Sequence, residues 1–133
     1  MPYVDLALHH PSPSPEALQA VRAGLTRLMA DVLRKRADLT VAAITVHPAA
    51  GVAIGGADLA AGGWSGRLVA YVTQGTNTDE EKARFLGEAY RLLCQHLGEP
   101  ASPFYIVVQE VPAGAWGYDG RSQASRAQPP VAA

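Results

Sequence analysis

The chain has 133 residues, 48% apolar and 17% charged, with a formal net charge of −1. This predicts one folded domain whose core needs no covalent staple, and it excludes a disordered chain or one drawn in bulk to nucleic acid or an anionic membrane. A single cysteine, Cys94, leaves no intrachain disulfide or cysteine metal cluster. No apolar run nears the ~20 residues of a membrane span, and Met1-Pro2-Tyr3-Val4-Asp5 is no secretory leader, so a cytoplasmic protein is expected.

Val4, Leu6 and Leu8 alternate with Tyr3, Asp5 and Ala7, the period of a strand with one buried face. After the breakers Pro11-Ser12-Pro13, Ser14 caps a helix with Pro15 at its first position and Glu16 in its first turn. Leu18, Val21, Leu25, Leu28, Met29 and Val32 form its apolar stripe, and Arg34-Lys35-Arg36 is expected in its last turn, where cations complement the helix dipole. Thr40–Val46 reads as a second strand. Between Gly51 and Gly66 lie six of the 13 glycines, a region expected to form loops or short hairpin arms.

Leu68–Thr73 opens a second strand–helix–strand pattern. Thr78 and Glu81 make a capping box, and Leu86, Ala89, Tyr90, Leu93 and Leu97 make a stripe that Gly98 and Pro100 end. Phe104–Val111 is the last strand, and a frayed tail is expected over residues 123–133. The two patterns overlay without a gap at a shift of 64 residues, so that Ser14 falls on Thr78 and Pro48 on Pro112. A single domain over residues 1–133 is expected, with one βαβ unit over about 2–56 and a second over about 66–120. The fold class is α+β, two-layered: a four-stranded mixed sheet with both helices on one face. The second and fourth strands are too apolar for an open wet face, so oligomerisation is expected to cover it.

Pro2 is the leading candidate for chemistry. Removal of Met1 would leave a secondary amine at the head of a strand, and an α-amino group titrates near ~8, low enough to act as a base once burial disfavours its charged form. The matching position in the repeat is Gly66, so this chemistry occurs once per chain. The Arg34-Lys35-Arg36 run reads either as solvated charge at a helix end or as an anion site for a carboxylate. Trp116 and Tyr118, in a glycine-rich turn, either wall an apolar pocket or cap the surface. His9, His10, His47 and His96 lack metal-ligand spacing, and no nucleotide loop or nucleophile elbow is present. Cys94 lies close to the apolar face of its helix and reads as an inert thiol.

Together these residues resemble the tautomerase superfamily, whose members start with a catalytic proline after Met removal. Tyr105–Gly120 resembles the C-terminal strand and arm of the 4-oxalocrotonate tautomerase group, and Gly75-Thr76-Asn77-Thr78-Asp79-Glu80-Glu81-Lys82 resembles its turn into the helix. The double βαβ chain is similar to the fused members. The resemblance implies a homotrimer with active sites near subunit boundaries, a small-molecule carboxylate substrate and no metal or organic cofactor. The arginines of short members are replaced by Ser12 and Thr76 in the turns and by Val41 and Tyr105 in the strands. Lys35, or Arg36, and Tyr105 resemble instead the lysine and tyrosine of the macrophage migration inhibitory factor branch, and Trp116 falls where short members place a pocket aromatic. Positions where the cis-3-chloroacrylic acid dehalogenase branch needs a histidine and two arginines read Met29, Thr73 and Thr76. The expected activity is proton transfer on a small 2-oxo or 2-hydroxy-dienoic acid. Pro2 is its base, Tyr105 (from a neighbouring subunit) its hydrogen-bond donor, Lys35 or Arg36 its anion holder and Trp116 its pocket wall. The alternatives are water addition to a haloacid or unsaturated acid with Glu110 as base, or a trimer without catalysis.

Overall fold

A computed structural model describes residues 2–127. Strand β1 (Tyr3–His9) leads through helix α1 (Pro15–Asp31) to β2 (Val41–His47), and a small hairpin follows, β3 (Ala53–Ile54) with β4 (Ala57–Asp58). Strand β5 (Ser65–Thr73), helix α2 (Asp79–Leu97) and β6 (Tyr105–Val111) repeat the pattern, and a second hairpin follows, β7 (Gly117–Tyr118) with β8 (Arg121–Ser122). The main sheet runs β2-β1-β5-β6, parallel within each unit and antiparallel where β1 meets β5. The chain is therefore a four-stranded mixed sheet with two main helices, the architecture expected from the repeat.

The repeat holds at the level of single residues. A shift of 64 carries β2 onto β6 and one hairpin onto the other, end to end. Both hairpins turn on two left-handed residues, Gly55-Gly56 in the first and Asp119-Gly120 in the second. Both helices are capped as their sequences dictate: Ser14 accepts from the Ala17 amide, and Thr78 and Glu81 form the reciprocal capping box. Val4, Leu6 and Leu8 are fully buried against Val21, Leu25, Met29, Phe85 and Leu93 from the helices. Full burial of each such side chain contributes roughly 1.5–3 kcal/mol. The opposite sheet face, with Tyr3, Val41 and Tyr105, is exposed in the single chain.

Two expectations fail. Helix α1 ends at Asp31 with no basic residue in its last turn, so Arg34-Lys35-Arg36 lies beyond the helix. The chain unwinds there through wide bonds, from the Leu33 amide to the Leu28 carbonyl and from the Lys35 amide to the Met29 carbonyl, with Arg34 left-handed at φ 59°. The segment expected to fray at Gln123 begins instead with a short helix, α3 (Gln123–Ala127). Its first amides have acceptors, since Gln123 donates to the Trp116 carbonyl at 2.9 Å and Ala124 to the Ala113 carbonyl at 2.9 Å. The rest of the expected tail, residues 128–133, lies outside the described residues. Among the described residues no helix is long and apolar enough to cross a membrane.

Candidate active site

At one end of the sheet meet the start of β1, the entry to β2, the end of β5 and the arm that follows β6. A cavity of about 430 Å³ opens there, lined by Pro2, Tyr3, Leu39, Val41, Tyr71, Trp116, Gly117 and Tyr118. Pro2 is buried. Its carbonyl accepts the Val41 amide at 3.2 Å, which extends the β1–β2 ladder by one residue and fixes the head of the strand. Tyr3 and Tyr71 face each other across the β1–β5 register on the open face, edge to face with ring centres 6.3 Å apart. The lining holds no charged side chain, and three phenols and one indole supply most of its wall.

The arm is held by its aromatics. Trp116 donates its indole N–H to the Thr73 hydroxyl at 3.1 Å. Gly117 sits where a Cβ would meet the Arg121 carbonyl oxygen inside the hairpin, so only glycine closes β7 on β8. Tyr118 is held from behind by Arg126, whose guanidinium carbon lies 3.6 Å from the ring centre and whose Nη2 donates to the Tyr118 carbonyl at 3.0 Å.

The basic run stands beside this cavity but not in its lining. Arg34 grips Glu81 through Nε at 2.5 Å and Nη2 at 3.2 Å, and donates to the Thr76 carbonyl. That guanidinium, the Thr78 amide and Asn77 together pull the Glu81 carboxyl down to about 2. Lys35 is half-buried and donates from Nζ to the Thr76 hydroxyl at 2.7 Å. Desolvation, then the Arg34 charge, push its ammonium below the ordinary lysine value. The Thr76 hydroxyl donates in turn to the Thr73 carbonyl at 2.6 Å, so Lys35 is two hydrogen bonds from the residue that anchors Trp116. Arg36 is exposed and already holds a carboxylate, that of Asp38, at 2.6 Å.

Of the five residues singled out in the sequence, Pro2 and Trp116 share the cavity, Lys35 and Arg36 flank it, and Tyr105 lies elsewhere in the same chain. Tyr3 and Tyr71 share a row with Gln109 of β6, and Tyr105 starts that strand. It is thus about 13 Å along and about 10 Å across from Tyr3. It is 66% exposed and lines a separate groove with Leu86, Tyr90 and Phe104. Glu110, the candidate base for water addition, is bound to Lys82 at 2.9 Å and accepts the Gly75 amide, and the Lys82 ammonium holds its carboxyl below the ordinary range. Sequence reading missed Tyr3, Tyr71, Leu39 and Val41. The alternation of β1 already placed Tyr3 on the open face, but only the β1–β5 register reveals its partner Tyr71. Among the described residues no three His, Cys, Asp or Glu side chains gather into a metal site.

Residues 70–126 match the family model described as Tautomerase enzyme. No curated protein matches the chain in sequence. Among solved structures, the asymmetric trimer of wild-type fused 4-OT overlays with a TM-score of 0.80 at 18% identity, over 93% of this chain and 99% of that one. Pt0534 inactivated by 2-oxo-3-pentynoate overlays at 0.78 and 14%, over 95% and 99%. A macrophage migration inhibitory factor-like protein from Entamoeba histolytica overlays at 0.75 and 16%, over 91% and 97%. The chain therefore shares the double βαβ fold of these structures, and residues 70–126, its second unit, match the tautomerase family in sequence.

Proposed function

We propose that the chain is a cofactor-independent tautomerase acting on a small 2-oxo acid or its enol, with the Pro2 amine as general base. The observation behind this reading is a buried Pro2 at the head of β1, in a cavity whose lining is aromatic and aliphatic throughout. Once Met1 is removed, that environment disfavours the ammonium form and leaves a neutral secondary amine near pH 7. The amine takes the enol O–H proton, or a proton from the carbon beside the carbonyl. The charge that develops on the 2-oxygen is met by hydrogen-bond donors, and the proton returns to a different atom, so nothing else is consumed. Trp116 keeps water from the amine.

An uncharged lining favours a substrate with one carboxylate and an apolar body over a diacid. Lys35 is the better anchor for that carboxylate: Arg36 already holds Asp38, whereas Lys35 uses one of its donors on a neutral hydroxyl. The neighbours described as fused 4-OT trimers support a homotrimer, in which the open sheet face is covered. In such a trimer the exposed Tyr105 donates from one subunit into the cavity of another. The tying of Glu110 to Lys82 weakens the water-adding alternative. We also place the protein in the cytoplasm.

The test is turnover of the enol of phenylpyruvate by the processed protein and by Pro2→Ala. Loss of about 10²–10⁴-fold in rate, with the oligomer intact, is the expected result. An undiminished rate in that variant would remove Pro2 from the mechanism.

A further inference from the structure

The two hairpins are related by the repeat, yet only one is followed by a helix. After β3 and β4 the chain passes through a turn closed by the Gly63 amide on the Ala60 carbonyl and runs into β5. After β7 and β8, at the equivalent positions, stands α3. The equivalents of Trp116 and Tyr118 in the first hairpin are Val52 and Ile54, and neither lines the Pro2 cavity. The site with the amine is thus also the site whose arm is held by a helix.

The holding contacts converge on the cavity wall. The Gln123 amide donates to the Trp116 carbonyl at 2.9 Å, and the Ala124 amide ties the helix to Ala113. Arg126 lays its guanidinium on the Tyr118 ring and binds the Tyr118 carbonyl. Among the described residues Arg126 has no carboxylate partner, and its Nε is buried without an acceptor. Among the described residues its guanidinium thus faces the Tyr118 ring and the arm backbone. The Trp116–Tyr118 wall is gripped from both sides, by Thr73 on the sheet and by Arg126 on the helix.

We infer that Arg126 is a positioning residue, holding the Trp116–Tyr118 wall in place over Pro2 and so setting how well substrate is bound. The effect on turnover rests on the tautomerase reading above, while the effect on the wall does not. Three proteins are compared: wild type, Arg126→Ala, and Arg126→Lys, which keeps a cation over the ring. Each is assayed with the enol of phenylpyruvate, with indole N–H exchange of Trp116 followed by NMR and thermal melting measured in parallel. Arg126→Ala is expected to raise KM about tenfold with kcat within about twofold. Exchange at the Trp116 indole is expected to quicken while Trp64, buried in the core, stays protected; Arg126→Lys falls between. Unchanged Trp116 exchange in Arg126→Ala would overturn the inference. So would equal losses of kcat and kcat/KM together with a lowered melting point and general deprotection, which mark a merely structural role. If the wild type turns over no enol, the tautomerase reading fails and Trp116 exchange alone decides on the clamp.

Discussion

Glu81 does three jobs with two oxygens. It closes the capping box on the Thr78 amide at 2.8 Å, takes Asn77 Nδ2 at 3.3 Å and holds the Arg34 guanidinium. Asn77 in turn donates to the Leu33 carbonyl at 2.9 Å, so the start of α2 is tied to the end of α1. A carboxyl held at about 2 when folded, and near 4.5 when unfolded, stays ionised in the folded chain while the unfolded chain takes up its proton. Its contribution is complete above about pH 4.5 and is lost as pH falls toward 2. Glu81→Gln should therefore lower stability at pH 7 and flatten the acid limb between those values. Urea melts of both proteins at pH 6 and pH 2.5 check this: the gap between them should shrink at the lower pH, and a constant gap would contradict the assignment. Arg34, the partner, sits in the left-handed region where its repeat equivalent is Gly98, so this ion pair is made from a conformation unfavourable for a side chain.

At the scale of elements, the four long strands, the two main helices and the turns were legible because their signals are local. Alternation marks β1, capping residues mark α1 and α2, and glycines mark the turns. The end of α1 was not legible. Nothing local separates Arg34-Lys35-Arg36 from a last helical turn, and the left-handed Arg34 is selected by its distant partners Glu81 and Thr76. Helix α3 was missed for a similar reason: five residues are too few to form a helix alone despite the good helix formers among them, and their bonds go to the arm. The place where the repeat breaks is instructive. At Gly66, the counterpart of Pro2, a Cβ would lie 2.0 Å from the Ala7 carbonyl oxygen, and φ is 156°. Gly66→Ala should therefore cost ~3 kcal/mol or more through overpacking and backbone strain, read as a lower denaturation midpoint at unchanged m. A cost under about 0.5 kcal/mol would show that β1 and β5 can separate there.

The whole molecule is a duplicated unit that has lost its equivalence at the two ends of one sheet. One end gathers Pro2, Tyr3, Tyr71, Trp116 and Tyr118 around a cavity, whereas the other presents Gly66 and Arg67 at the positions of Pro2 and Tyr3. Pro2 and Trp116, which line this cavity, are each marked in the sequence by an unusual local setting. Tyr3 and Tyr71 could not be paired without the register, and Tyr105 lies outside the cavity of its own chain. Pro2 as the reactive base can be tested on the intact chain. The purified chain is weighed intact before and after treatment with 2-oxo-3-pentynoate, the compound described as inactivating the structurally similar Pt0534, and the modified residue is mapped by fragmentation. Conjugate addition of a neutral amine to the triple bond forms one carbon–nitrogen bond, and the adjacent carbon takes up the proton. A chain lacking Met1 that gains a single adduct on the Pro2 nitrogen is the result expected. A chain that keeps Met1, or one labelled at Lys35 while Pro2 stays free, would contradict the assignment of Pro2 as the reactive base.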